Sequence, residues 1–296
     1  MTPPEIYRSP SSGGQGWDVR VVPNKFLALQ EYAELGCERP DGIYDRMNGV
    51  GAHEVVVETP EHCSEIPDLP EAQVARIVET YIHRLKSLTE NPQFRYIQLF
   101  KNHGKEAGAS LLHPHSQIIA TPIVPQEVRD SLNIAKAYYE SKERCLFCDI
   151  MSAELKSGER IVEERDGFVT WAPYDARFPF ELVIYPKVHS HDFTTMNEAQ
   201  KIGLARTLIR ATQRLKMLLG DVPYNLVLKT TPNTAPRPGK PDHWKTLAFD
   251  YHWRIAILPK LTNMAGFEWG TGCYINPMPP EEAAKYLREV EFSTLP

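Results

Sequence analysis

The second half of this chain repeats the plan of the first, and that duplication restricts the fold more than any single motif does. The first half runs WDVRVVPNKFLAL, HEVVVETPEHCSEIPDL, EAQVARIVETYIHRLKSL and FRYIQLFKN. The second runs RDGFVTWAPYDARFP, FELVIYPKVHSHDFTTM, EAQKIGLARTLIRATQRLKMLL and VPYNLVLKT. Each unit reads as strand, strand, a Pro and a His at the strand end, an amphipathic helix, and a further strand. Branched aliphatic runs such as Val55-Val56-Val57 and Leu182-Val183-Ile184 mark strands. Apolar residues three and four apart mark helices: Val74, Ile77, Val78, Tyr81 and Ile82 in one half, and Leu204, Leu208, Ala211, Leu215 and Leu218 in the other. The shared EAQ helix start and the matching His62 and His189 align the two copies. The expected fold is α+β, with two fused halves over 1–130 and 145–296, each an antiparallel sheet with helix packing. The join falls near residues 126–150, in a polar helical stretch from Gln126 to Arg144. The Gly- and Pro-rich tail after Lys260 ends in a short helix from Pro280, with Glu281 and Glu282 in its first turn.

The chemistry concentrates in His113-Pro114-His115-Ser116-Gln117. In an extended chain alternate residues face the same side, so His113, His115 and Gln117 share one face. Pro114 cannot donate to a sheet ladder and favours a sheet end, where a side chain can meet a ligand. An imidazole nitrogen is a good nucleophile at neutral pH, and a phosphorylated imidazole is a good leaving group. Gln117 offers an amide N–H to phosphate oxygens. Upstream, KNHGKEAGAS (101–110) supplies two glycines, a serine and an asparagine, as suits a loop whose N–H groups approach phosphate closely. Lys101 and Lys105 are its basic side chains and read as solvated. On spacing alone, two near-adjacent histidines also fit an exposed loop or a metal pair.

With 33 basic and 38 acidic residues the net charge is −5, so no global basic field holds nucleic acid and a phosphorylated substrate needs a local site. No apolar run approaches the ~18 residues of a membrane span. The opening MTPPEIYRSPSSGGQGW has no signal-peptide core, so the expected compartment is the cytoplasm. The five cysteines, Cys37, Cys63, Cys145, Cys148 and Cys273, do not suggest a disulfide framework. Cys145 and Cys148 form a Cys-x-x-Cys pair that fits a metal half-site, a redox dithiol or chance.

HPHSQ preceded by KNHGKEAGAS resembles the active-site segment of the galactose-1-phosphate uridylyltransferase family, in the histidine-triad superfamily. The likeness extends to WDVRVVPNKF, to TPEH at 59–62 and to the tail AGFEWGTGCYINPMPPEEAAKYLRE, and so covers almost the whole chain. It implies two fused histidine-triad-like halves. It makes His115 a covalent nucleophile that is uridylylated in a ping-pong cycle, with Gln117 stabilising the phosphoryl group. Asn102, Gly108 and Ser110 would line the phosphate pocket, Asn24 would lie near the nucleoside, and Phe267 and Glu268 would contact the hexose. The implied reaction is transfer of UMP from UDP-glucose to galactose 1-phosphate, in a homodimer that completes its site across two subunits. Two alternatives stay open: an ADP-sugar phosphorylase or adenylyltransferase of the same superfamily, and a non-catalytic zinc-binding remnant.

His62 and His113 match two zinc ligands of the family's first half. The Cys-x-x-Cys pair that accompanies them there is expected before the segment aligned with MTPPEIYR. The first half is therefore expected to miss that segment, and Cys63 alone cannot replace two thiols. The second half resembles a histidine-triad strand at Tyr251-His252-Trp253-Arg254-Ile255-Ala256, with Arg254 where the nucleophile would stand and Ala256 at the third position. That half is expected to be catalytically silent. Cys145, Cys148, His189 and His252 are the equivalents of a complete Cys₂His₂ zinc set, with His191 the alternative to His189. His243, Trp244 and Trp253 read as packing or rim residues.

Overall fold

Alternating branched and aromatic residues build ten strands in the computed structural model, which describes residues 4–292 apart from 12, 13, 15, 28, 31–33, 37–42, 63 and 237–243. Cys37, Cys63 and His243 lie outside the described residues. The strands are β1 (Tyr7–Pro10), β2 (Trp17–Pro23), β3 (Ala52–Val57), β4 (Tyr96–His103), β5 (His115–Thr121), β6 (Ile161–Arg165), β7 (Phe168–Trp171), β8 (Leu182–Pro186), β9 (Tyr224–Lys229) and β10 (Arg254–Pro259). The helices are α1 (Glu71–Thr89), α2 (Gln126–Lys142), α3 (Leu146–Ser157), α4 (Glu198–Leu219), α5 (Leu247–Asp250), α6 (Gly266–Thr271) and α7 (Pro280–Arg288). Among the described residues, no helix is long and apolar enough to cross a membrane.

The two sequence copies appear as two sets of five strands, but they do not remain separate sheets. The order is β1-β2-β3-β5-β4-β9-β10-β8-β7-β6, one antiparallel sheet in which the second set mirrors the first across a β4–β9 seam. At that seam Phe100 pairs with Val227, Asn102 with Asn225 and His103 with Tyr224. Each copy alone would expose the hydrogen-bonding edge of its last strand, and pairing the two edges removes that exposure.

Helices α1 and α4 open on the two EAQ segments and pack against each other on one face of the sheet. Val74, Ile77, Val78, Leu204, Leu208 and Leu215 meet the inward residues Val56, Ile118, Ile184 and Ile255 there. Leu218 departs from the expected stripe and is exposed in the last turn of α4. The N-terminus of α4 carries a capping box between Asn197 and Gln200. On the opposite face, α2 and α3 cover the second half, where Leu132, Phe147 and Met151 pack on Trp171, Val183, Tyr185 and Ala256. Trp253 is wholly buried against Phe168 and Phe193, so it is a packing residue as its sequence context suggests.

Beneath β5 the core holds charge. Lys101 is 1% exposed, which overturns its reading as a solvated loop residue. It lies on β4, not in the loop, and strand alternation turns it inward. Its Nζ donates to Glu58 Oε2 at 2.7 Å and makes an ion pair with Glu65 Oε2 at 2.9 Å. Glu58 is itself 0% exposed and also accepts from the hydroxyls of Tyr81 on α1 and Ser116 on β5. Burial alone would depress the Lys101 ammonium, but Glu58 and Glu65 outweigh it and hold its pKa above the ordinary value. Removing one partner of such a pair strands a buried charge. Lys101→Met is therefore expected to cost about 3–5 kcal/mol in urea unfolding. Lys229→Ala, which breaks a pair with the exposed Glu127, should cost less than about 1 kcal/mol.

Candidate active site

His115 opens β5, immediately after the proline that ends ladder pairing on its N-terminal side. Its Nδ1 lies 2.8 Å from the carbonyl oxygen of His113. A nitrogen facing a carbonyl must donate, so the ring is held with its proton on Nδ1 and a bare lone pair on Nε2. The ring is 6% exposed. It borders a cavity of about 580 Å³ whose lining includes His62, Asn102, Gly104, Ser110, His113 and His115.

The loop between β4 and β5 shapes this cavity. Gly104 has φ +80°, and a Cβ there would meet Pro223 at 2.7 Å. Gly108 has φ +91° and closes a short 3₁₀ turn over Lys105–Ala107. Both positions need the left-handed region that glycine occupies without strain. Asn102 Oδ1 accepts from Asn225 Nδ2 at 2.8 Å, and Asn225 also donates to the Ala107 carbonyl at 2.8 Å. The Asn102 amide is thereby turned so that its –NH₂ end points away from Asn225, and that end lies 3.5 Å from the Cβ position of Gly108. Asn225 comes from the other half of the chain, across the seam, and no sequence pattern pointed to it.

The expected site residues are thus only partly gathered in one place. His113, His115, Asn102 and Ser110 share the cavity lining, and Gly108 lies beside Asn102. Gln117 and Asn24 are not among the lining residues. They meet each other through His53 on β3, whose Nε2 lies 2.8 Å from Gln117 Oε1 and 3.0 Å from Asn24 Nδ2. Phe267 and Glu268 sit on the exposed helix α6 and do not line the cavity either.

His62 and His113 face each other with Nδ1 atoms 3.0 Å apart, while His113 Nε2 donates to the Thr59 carbonyl at 2.8 Å. Among the described residues no third ligand joins this pair. The corresponding place in the second half is fuller. Cys145, Cys148, His189 and His252 bring one ligand atom each to within 4.8 Å of one another. Cys145 precedes α3 and Cys148 lies in its first turn, so both sulfurs meet the positive end of the helix. Cys148 Sγ lies 3.2 Å from His189 Nδ1 and 3.4 Å from His252 Nδ1. Those spacings are close to the ~3.5 Å that separates S and N ligands on a tetrahedral zinc ion. His189 Nε2 donates to the Ala248 carbonyl at 2.9 Å, which leaves its Nδ1 as a ligand. The hydrogen bond with Cys148, aided by His189, pulls the Cys145 thiol down to about 5, while the same contact and burial push the Cys148 thiol up. Burial pushes His252 down to about 3, so its ring is neutral. Two sulfurs and two imidazole nitrogens gathered this closely are the donor set of a tetrahedral zinc ion, so the residues present fit a zinc ion.

Arg254 occupies the position that His115 holds in the first half. Its guanidinium lies over Phe147 at 4.3 Å, and Nη1 approaches the His252 carbonyl at 3.4 Å. A guanidinium keeps its proton at any ordinary pH and cannot act as a nucleophile there. The second copy therefore keeps the strand and lacks the reactive nitrogen.

Comparison with known proteins agrees with this architecture. Residues 17–125 match the galactose-1-phosphate uridyl transferase N-terminal domain, and residues 131–291 match the C-terminal domain of the same family. The chain is 35% identical to an ADP-glucose phosphorylase of Arabidopsis thaliana over 291 residues, covering 98% of this chain and 79% of that protein. It is 31% identical to a galactose-1-phosphate uridylyltransferase of Thermotoga maritima over 282 residues, covering 93% and 85%. It also superposes on the crystal structure of an Arabidopsis thaliana ADP-glucose phosphorylase with bound ADP-glucose, with a TM-score of 0.86, 33% identity and coverage of 98% and 88%.

The rim of the cavity carries its own titration. His103 lies 3.4 Å from Glu65 and 2.8 Å from Asp221. Burial opposes ionisation of Glu65, but His103 and Lys101 together pull it from 4.5 to about 2. A depressed carboxylate contributes stability above its unfolded value and loses it as pH falls through the folded one. The stability difference between the wild type and Glu65→Gln should therefore be largest between about pH 4.5 and 6.5, shrink as pH falls towards about 2, and decline above 6.5 as His103, whose pKa Glu65 raises, loses its proton. Urea midpoints of the two proteins across that range check it.

Proposed function

The chain belongs to the galactose-1-phosphate uridylyltransferase family, and from that premise we propose that it transfers a nucleoside monophosphate from a nucleotide sugar through a covalent adduct on His115. The observation that carries the proposal is the 2.8 Å contact from Nδ1 to the His113 carbonyl, which leaves Nε2 as the bare nitrogen on the cavity. In the first half-reaction Nε2 attacks the α-phosphorus. An N–P bond forms, the P–O bond to the β-phosphate breaks, and the sugar 1-phosphate leaves with the electron pair. No proton need be supplied to the departing oxygen, because a phosphate is already a stable anion. The His113 carbonyl keeps the Nδ1 proton and tempers the positive charge that develops on the ring. In the second half-reaction a phosphate oxygen of the acceptor attacks the same phosphorus and releases the imidazole. Asn102, with its amide turned by Asn225, and Gln117 would donate to the non-bridging oxygens.

Two acceptors fit this chemistry. If UDP-glucose is the donor and galactose 1-phosphate the acceptor, the products are glucose 1-phosphate and UDP-galactose, the activity named for the Thermotoga maritima relative. The second reading is favoured by the Arabidopsis thaliana relative, named an ADP-glucose phosphorylase, and by its structure with ADP-glucose. In that case inorganic phosphate would accept AMP and yield ADP. Phe267 is 53% exposed beside Trp269 at 75%, an apolar surface suited to reaching a second subunit's hexose site in a homodimer. The Cys145, Cys148, His189 and His252 set would hold one zinc ion with a structural role, since all four tetrahedral positions are taken by protein. His62 and His113 would orient the nucleophile's strand. The expected compartment is the cytoplasm.

Incubation with UDP-glucose and with ADP-glucose, each labelled in the nucleotide, should leave an acid-labile adduct on His115 with one of the two. His115→Ala should abolish the adduct and cut turnover at least about a thousandfold. No adduct with either donor, or turnover that survives the substitution, would sink the proposal. Metal analysis should find one zinc per chain. Cys148→Ser should lose it and melt at lower temperature, whereas His62→Ala should keep it.

A further inference from the structure

Between Asn24 and Gln117 the structure places a histidine that no site motif contains. His53 is 8% exposed on β3, and strand alternation points it to the same face as His115 and Gln117. We propose that His53 is a positioning residue. By donating from Nε2 to Gln117 Oε1, it turns the Gln117 amide so that the –NH₂ end faces the phosphoryl group. The assignment rests on the reading of His115 as nucleophile and Gln117 as its phosphoryl contact.

A single ring nitrogen meets two competing amides. Asn24 Oδ1 accepts from the Phe26 backbone N–H at 3.0 Å, so the amide of Asn24 is fixed with its –NH₂ end toward His53. That Nδ2 lies 3.0 Å from His53 Nε2, and Gln117 Oε1 lies 2.8 Å from the same atom. One ring nitrogen cannot accept from Asn24 and donate to Gln117 at once. If Nε2 is bare, it accepts from Asn24. Gln117 must then reverse its amide and present a carbonyl oxygen to a negatively charged phosphoryl group. If Nε2 carries the proton, Gln117 Oε1 accepts it, its –NH₂ serves the phosphate, and the Asn24 –NH₂ is left to find another acceptor. His53 Nδ1 decides between them. Among the described residues it is buried without a hydrogen-bond partner. A buried N–H without an acceptor is the rarer and costlier case, so the proton belongs on Nε2. A bound nucleoside oxygen accepting from Asn24 would complete that arrangement, linking occupancy of the nucleoside end to the orientation of the group at the phosphorus.

His53→Leu keeps bulk and removes the donor, whereas His53→Gln returns an amide N–H to about the position of Nε2. With the donor that labels the wild type, His53→Leu should lower kcat about ten- to hundredfold and change KM less than about threefold. His53→Gln should recover most of that loss. In a Gln117→Leu background the same His53→Leu change should have almost no further effect on kcat. An unchanged kcat, or an equal loss with and without Gln117, overturns the assignment. Nitrogen-15 NMR of the wild-type protein tests it without turnover or a variant. The Nε2–H form of His53 is expected, and an Nδ1–H form overturns it. If the wild type forms no adduct with either nucleotide sugar, the reaction reading has failed, which is distinct from a wild type that reacts normally while His53→Leu matches it.

Discussion

A single buried carboxylate fastens the strand that carries His115 to everything beneath it. Glu58 has no exposed surface, and it accepts from Tyr81 on α1, Lys101 on β4 and Ser116 on β5, while its backbone N–H donates to the Pro114 carbonyl at 3.1 Å. An isolated charge in this position would be prohibitive. Three donors from three elements make it tolerable and at the same time specify how those elements sit. Ser116 and Pro114 flank His115, so its ring position is set from the opposite face of its own strand. Lys101 carries the connection onward to Glu65, and through His103 to Asp221 in the second half.

The seam between β4 and β9 is where duplication becomes function. It joins two five-stranded copies into one sheet, and it lets Asn225 reach over to set the Asn102 amide. The second copy contributes that asparagine, a closed Cys₂His₂ cluster and a covered face, but no nucleophile. Helices α2 and α3 lie on the surface that the first copy leaves open, and Arg254 fills the place of the reactive histidine. One copy thus carries the proposed nucleophile while the other pairs with its edge. The two amides expected at the phosphate share a device. Each has its carbonyl oxygen held by a neighbour, Asn225 for Asn102 and His53 for Gln117, so that the donor end is presented without reorganisation.

Much of this was legible in the sequence, and the limits follow from distance along the chain. The duplication and the helix faces from Val74 to Ile82 rest on local spacing or on comparing one half with the other, whereas the grouping of Cys145, Cys148, His189 and His252 came from the family resemblance. The spacing of His113, His115 and Gln117 gave their shared face for the same reason. What spacing could not give was pairing between remote segments. Lys101 reads as a loop lysine until β4 is seen to run through it to His103 and turn it inward. Asn225 is an ordinary strand residue until the seam pairs it with Asn102. His53 sits 64 positions from Gln117, and alternation along HEVVV gives its face but not its partner. The continuous ten-stranded sheet was likewise invisible, because edge pairing between two halves leaves no periodic trace.

The proposed reaction depends on which nitrogen of His115 is reactive. The adduct formed with the nucleotide sugar that labels the protein can be isolated under alkaline conditions and its attachment read by phosphorus NMR of the denatured chain. The hydrogen bond from Nδ1 to the His113 carbonyl predicts a phosphorus bonded to Nε2. A phosphorus bonded to Nδ1, or to any residue other than His115, would contradict the account.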